Sequence, residues 1–361
     1  MPSRYPVEMS ALTSLRFFAA AWVVLTHFAP EKSHWPVIAQ GNLAVDFFFV
    51  LSGFVLAHAY LSQVRDRRLD VRQFLVRRFG RLYPLHLVTL LFYVVLVATA
   101  ALIKLPLPNP ERYTGGQLVL NLLLIHGWQV RDAGAWNYPS WSISAEWFAY
   151  LMFPLLVTGV LRLQVRMPVR ALLAMSLTLL AIFWVLAMPL FGVHFLALHS
   201  NFSWWRIVPE FTLGIVLYQV GTHSRLPILE LRHAVGVLAV AVAVLSASEQ
   251  LLSAAMALAA LIYAAAESAR QGTQRFLVAR PLVYLGEISY SLYMVHAPVG
   301  TLCSRGWQFL FHTTPDWLLV PAFLATVLVA AAAHRWIEIP GRALVLKIDQ
   351  LLRSRIEPRP A

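Results

Sequence analysis

The chain has 361 residues, of which 59% are hydrophobic and only 13% charged, and its formal net charge is +12. A soluble enzyme of this size normally has about twice that charged fraction, so the composition excludes an ordinary water-soluble fold and predicts an all-α, polytopic membrane protein. The excess of arginine does not point to nucleic acid, because it gathers in short segments between apolar runs instead of forming one basic domain or tail.

The first apolar run, 11–29, carries Arg16 and, eleven residues on, His27. At about 100° and 1.5 Å per residue, the two share one helix face roughly 16 Å apart along the axis. An ionisable group in lipid costs on the order of 3 kcal/mol, so two on one face predict a polar cavity. No small-residue cleavage pattern comes after it, and the run is expected to stay as an anchor.

Further apolar runs lie at 43–61, 83–103, 117–127, 141–161, 171–191, 206–221, 234–246, 251–267, 281–303 and 317–336. A span needs about 20 residues, so the run at 117–127 is expected to be a short re-entrant or interfacial helix. About ten transmembrane helices remain, with 234–246 and 251–267 forming a hairpin through Ala247 to Gln250. With the N-terminus inside, the basic segments 65–81, 162–170, 225–232, 270–280 and 335–359, with Arg4 and Arg16, fall on one side. The other side holds the scattered Lys32, Lys104, Arg112, Arg131, Arg206 and Arg305. The positive-inside rule then puts both termini in the cytoplasm. Residues 1–342 form the transmembrane domain and 343–361 a short basic cytoplasmic tail. The single cysteine, Cys303, excludes an internal disulfide and a cysteine-cluster metal site, and no metal is expected.

This topology places His27, Asp46, Glu146 and His296 in one layer near the outer face, with Arg16 toward the inner one. Histidine is suited to taking a proton from a hydroxyl near neutral pH, best with a carboxylate fixing its tautomer. His27 with Asp46 is a candidate pair; the plainer reading is a headgroup-level histidine bonded to water. Glu146, in PSWSISAEWFAY, must be protonated, paired or facing water. It could orient His296, hold an acceptor hydroxyl, act as a second base, or pair with Arg206. Arg206 and Glu210, four apart, are expected to satisfy each other. Arg77, Arg78 and Arg81 sit in an inner loop before Pro84, which is placed to start a helix. Their guanidinium forks suit a phosphate-rich ligand or anionic lipid headgroups. Trp22, Trp35, Trp128 and Trp136 read as interfacial belt, although 136–141 could offer a stacking surface to a sugar ring.

In order along the chain, SLRFFAAAWVVLTHF, GNLAVDFFFVLSGFVLAH, RRFGRLYPLHL, PSWSISAEWFAY, GEISYSLYMVHAP and RWIEIPGR resemble the blocks of the membrane acyltransferase-3 family, from residue 10 to 342. The resemblance implies transfer of an acyl group, most simply acetyl, from cytoplasmic acyl-CoA to a hydroxyl of an envelope carbohydrate or similar acceptor. It matches Arg16 and His27 to the family's arginine-to-histidine motif. Arg78 and Arg81 match its loop arginines, Glu146 its SxSxE glutamate, and His296 the histidine of its YSLYxxH block. Many relatives carry a further hydrolase-like domain after the last helix; here a stand-alone transferase is implied. Acyl-CoA is then a donor substrate and no cofactor is permanently bound. Its phosphates would lie at Arg78 and Arg81, its arm would pass Arg16, and its thioester would end near His27, which acts as base or as acyl carrier. The rival class is a proton-coupled transporter using His27, Glu146 and His296 as a relay. It accounts for the buried titratable groups but not for the arginines at the inner face.

Overall fold

The computed structural model describes residues 5–6, 8–29, 36–107, 109–129, 136–199, 201–223, 233–235, 237, 252–273, 276–311 and 315–356. Among these, all regular structure is helical: α1 (Ser10–Phe28), α2 (Pro36–Ala39), α3 (Leu43–Arg65), α4 (Val71–Leu102), α5 (Gly115–Leu122), α6 (Trp141–Arg166), α7 (Val169–Phe191), α8 (Ser203–His223), α9 (Leu252–Gln271), α10 (Arg280–Glu287), α11 (Ser289–Phe311), α12 (Leu319–Ala333) and α13 (Ile339–Ile356). Most of the expected span 234–246, its turn at Ala247 to Gln250, Trp35, and the basic residues Arg4, Lys32, Arg131, Arg225, Arg232, Arg275 and Arg359 lie outside the described residues, as does the Arg305 side chain.

Six of the described helices are long and apolar enough to cross a membrane: Ser10–Phe28, Leu43–Arg65, Val71–Leu102, Tyr138–Arg166, Val169–Phe191 and Leu319–Ser354. The expected ten is not confirmed among the described residues: α8 and α11 carry polar side chains that turn inward, and most of the run 234–246 lies outside the residues described. Arg206, Glu210 and Gln219 of α8, and Ser289, Ser291 and His296 of α11, are fully buried. The run at 281–303 is also not one helix, since the chain breaks at Ile288 between α10 and α11. The short run near 120 forms the eight-residue α5, with Gln117 and Asn121 buried while Val119 and Leu123 are exposed. Its polar side faces protein and its apolar side faces outward, as suits a lipid-bathed surface.

Two expectations about α4 are corrected. The helix starts at Val71, not at Pro84, because the Asp70 side chain caps it by accepting from the Gln73 N–H at 2.9 Å. Arg77, Arg78 and Arg81 are therefore helical, and Pro84 lies inside the helix, where it removes a donor and leaves a notch. Gly341 of α13 fills that notch, and a Cβ there would strike the Pro84 ring. Residues 343–356, within the expected tail, continue α13 along the start of α4. Arg353 bonds Asp70 at 3.2 Å and Arg72 bonds Asp349 at 2.9 Å.

The core is the α3–α8 contact with α6 and α1 packed around it. Gly53 of α3 and Gly214 of α8 each face the other helix's backbone so closely that any Cβ would overlap a carbonyl oxygen. In a membrane, such small residues let backbones approach and gain dispersion contact. Helix α1 touches α3, α10 and α11, which turns its Arg16 side toward the bundle, while His27 at its far end is exposed.

Candidate active site

A cleft enclosing about 880 Å3 of empty space, part of it open to solvent, runs between α1, α3, α4, α6 and α11. Arg16, Arg78, Arg81 and Glu146 supply the charged groups of its wall. Arg78 and Arg81, three residues apart, share one face of α4. Arg77, one step on from Val76, is turned outward, is exposed, and does not line the cleft. Arg78 lies over the rings of Tyr60 and Tyr150, 5.8 Å and 5.9 Å from their centroids. These cation–π contacts hold the guanidinium without consuming its N–H donors. Its Nε is buried and has no hydrogen-bond partner among the described residues.

Glu146 belongs to this cleft. Its Oε1 accepts from Ser52 Oγ at 3.1 Å and from the Tyr150 hydroxyl. Arg16 lies in the electrostatic field of Arg81, Glu146 and Glu338, so the cluster carries both signs. Glu338 is a residue that the sequence patterns did not single out. It sits in a π turn, His334–Glu338, where Ser291 Oγ donates to Oε2 at 2.8 Å and His334 Nδ1 bonds it at 2.9 Å. A π turn inserts one residue into a helix and re-aims the side chains beyond it. That phase shift brings Glu338 inward, and the only signal for it in the sequence is an acid within the closing RWIEIPGR block.

The second centre lies at the far end of α1. His27 and His296 stand with ring centroids 5.0 Å apart, and Tyr138 lies 5.0 Å from His27 and 5.7 Å from His296. His27 Nδ1 is 2.9 Å from the Val23 carbonyl, and His296 Nδ1 is 2.5 Å from the Tyr293 carbonyl. A carbonyl oxygen only accepts, so each Nδ1 carries the proton, and in the neutral rings the lone pair sits on Nε2. His27 is exposed, whereas His296 is fully buried with its Nε2 unpartnered among the described residues. Tyr293 joins the two centres: its ring lines the cleft and lies 5.7 Å from His296. Its hydroxyl, which accepts from Ser142 Oγ at 2.8 Å, donates to the Pro139 carbonyl at 2.9 Å.

The single outer layer expected of His27, Asp46, Glu146 and His296 is therefore split. Only His27 and His296 meet, while Glu146 sits with the arginines. Asp46 is committed elsewhere, as Arg206 Nε and Nη2 each reach its Oδ1 at 2.8 Å. Arg206 also donates to the carbonyls of Leu196 and Asn42, at 2.9 Å and 3.2 Å, and lies 5.4 Å over the Trp141 ring. The expected Arg206–Glu210 pair is thus replaced by Arg206–Asp46. Neighbours on one helix lost to a partner on α3 that offers the guanidinium a better-aligned oxygen. Both carboxylate oxygens of Glu210 are buried without a hydrogen-bond partner among the described residues. The tautomer of His27 is set by a backbone carbonyl and not by Asp46. Trp136 offers no open face to a sugar, because it is 5% exposed and packs edge-on against Tyr113. His27 itself does not line the cleft, whose lining residues include Tyr293 and Ser142.

The model of the acyltransferase-3 family, an acyltransferase domain, matches residues 9–336. The chain is 32% identical to the acyltransferase MdmB of Streptomyces mycarofaciens over 96% of its own length and 94% of that protein. It is 25% identical to the O-acetyltransferase OatA of Staphylococcus aureus over 93% of its length, but spans only 58% of OatA. A stretch covering 28% of the chain is 37% identical to protein 2 in the picA locus of Rhizobium radiobacter, over 53% of that protein. No solved structure matches. The family match runs from the start of α1 to the π turn and takes in every residue that lines the cleft and both histidines of the second centre, so this chain belongs to the acyltransferase-3 family and is an O-acyltransferase, acting on an acyl donor and a hydroxyl acceptor.

Proposed function

We propose that the protein is a cytoplasmic-membrane O-acyltransferase that moves an acyl group, most simply acetyl, from cytoplasmic acyl-CoA to a hydroxyl of a carbohydrate or related acceptor. The observation that carries this reading is one helix, α1, with Arg16 in an arginine-lined cleft and His27 beside a second histidine. Arg78 and Arg81 bind the donor phosphates, and Arg16 lies along the path of the pantetheine arm. The Arg16-to-His27 rise of roughly 16 Å is of the length such an arm spans. The thioester reaches the histidines when the Tyr293 side chain swings aside.

The acceptor hydroxyl gives its proton to His27 Nε2 as its oxygen forms a bond to the thioester carbonyl carbon. The C–S bond then breaks, and the thiolate takes the proton back from the imidazolium. His296, with its Nδ1 proton fixed on the Tyr293 carbonyl, offers Nε2 as a hydrogen-bond acceptor to the incoming hydroxyl or to His27 once that is protonated. Glu146 and Glu338 hold Arg16 and Arg81 in place by charge. The direct test is to incubate purified protein in detergent with radiolabelled acetyl-CoA and candidate acceptors. Label that stays entirely on CoA, with neither transfer nor hydrolysis, would sink the reading.

Removing both Arg78 and Arg81 is expected to raise the KM for acyl-CoA by about 10²- to 10⁴-fold, since charged hydrogen bonds contribute about 1.5–3 kcal/mol each. Lysine at both positions should restore only part of the loss, because it lacks the bidentate fork. Calorimetry with CoA checks this, and unchanged affinity would assign both arginines to lipid contacts. Orientation is checked with single cysteines in a Cys303→Ser background. A membrane-impermeant maleimide added to spheroplasts is expected to label Leu105→Cys and spare Arg68→Cys. The reverse pattern would put His27 on the cytoplasmic side and end the two-sided mechanism.

A further inference from the structure

A second histidine pair has no part in the transfer chemistry above. His86 of α4 and His126 of the turn at 126–128 stack with centroids 5.9 Å and planes 3° apart, and both are buried. His86 Nε2 lies 2.9 Å from the Asn121 carbonyl and therefore donates to it. His126 Nε2 lies 3.1 Å from Ser140 Oγ, a bond in which either partner can donate. The Nδ1 atoms of both rings are buried without a partner among the described residues. Leaving a buried ring nitrogen unsatisfied is unfavourable, and each ring makes one directed bond, so an apolar side chain would serve mere packing better. Such half-satisfied polar groups point to a fixed geometry on which something else depends.

What depends on this one is the short turn Tyr138–Ser140. Ser140 ends it, and Tyr138 begins it with its ring beside His27 and His296. The turn is tied on its other side to α11, through Asn137 Nδ2 donating to the Met294 carbonyl at 3.3 Å and Tyr293 donating to Pro139. Its attachment on the α4 side is the Ser140–His126 bond.

We infer that His126 is a positioning residue for the transfer site. Through Ser140 it sets the turn that holds Tyr138 against His27 and His296, and the stack on His86 keeps its ring in that plane. Tyr138 then limits how a hydroxyl acceptor approaches the His27 ring. This rests on the proposed role of His27, so the test includes a readout independent of transfer. A displacement of about 1 Å at a reacting centre is worth up to 10²-fold in rate.

The experiment compares His126→Ala, His126→Gln and Ser140→Ala in the purified full chain. It measures the rate at which diethyl pyrocarbonate modifies His27, read by mass spectrometry, together with kcat and the KM for acyl-CoA. His126→Ala and Ser140→Ala are expected to speed His27 modification several-fold and to lower kcat about tenfold with the donor KM unchanged, while His126→Gln, which keeps a polar group within reach of Ser140, recovers most of both. Ser140→Ala deletes the same bond with almost no change in volume, so it reports even if His126→Ala fails to fold. Wild-type modification rates in both alanine variants would overturn the inference, as would equal impairment by glutamine and alanine. Faster modification without any change in kcat would uphold the positioning of Tyr138 and count against His27 as the base.

Discussion

His27→Ala is expected to lower acyl transfer by about 10²–10⁴-fold, the usual contribution of a positioned general base, with no matching loss of folded protein. Its ring is exposed at the end of α1, and its Nδ1 bond is to the carbonyl one turn back in the same helix. Truncation gives up the ring contacts with Tyr138 and His296, each 5.0 Å between centroids, but the ring is exposed and little buried area is lost. Donor binding should be unaffected, since the arginines stand on the far side of Tyr293. The measurement is the initial rate of label transfer from acetyl-CoA at saturating donor, normalised to protein that elutes as a single species. A variant retaining more than about a tenth of wild-type rate would rule out general-base catalysis by His27. Rapid quenching of the wild type with labelled donor alone separates the two routes, as label on His27 identifies a covalent acyl carrier and its absence direct attack.

Arg206→Leu is expected to destabilise the protein by about 3–5 kcal/mol, the cost of breaking a buried ion pair by removing one partner. Arg206 is fully buried, as are Asp46 and Glu210, and its guanidinium, bonded to Asp46, is also the cation nearest in charge to Glu210 one turn along α8. Without it, Asp46 and Glu210 face each other inside the α3–α8 contact with no cation to compensate them, and the carbonyls of Leu196 and Asn42 lose their donor. If charge is the cause, Arg206→Leu should cost much less in a background of Asp46→Asn and Glu210→Gln, where the carboxylates are already neutral. Thermal melting in detergent, run as a mutant cycle, measures that coupling. Equal destabilisation in both backgrounds would make Arg206 a packing residue whose charge is incidental.

Much of the architecture is legible in the residues alone. The bounds of α1 agree within one residue at each end with the apolar run around Arg16 and His27, because period and apolar content are local properties that a single helix satisfies by itself. The same local rule brings Arg78 and Arg81 to one face and turns Arg77 off it. The start of α4 is also readable in principle, in Asp70 three residues before Gln73, but apolar content favours the later run and Pro84. The blocks that carry the family resemblance lie in one order along the chain, and the family match over residues 9–336 takes in the first five of them and the start of the sixth.

What the sequence did not contain is which buried charge meets which. Asp46 and Arg206 are 160 positions apart, and the partnership was decided by two glycines that let α3 and α8 close to backbone contact. His27 meets His296 because α11 packs on α1, and neither helix encodes that neighbour in its own period. The phase of Glu338 hangs on one extra residue in a π turn, which an apolar run absorbs without trace. Local hydrogen bonding and hydrophobic periodicity thus determined that this chain would be helices in a membrane carrying arginines and histidines on defined faces. The desolvation cost of those charges, which only a partner on another helix can offset, left it to tertiary packing to decide that they sort into an arginine cleft, a histidine pair and a buried ion cluster.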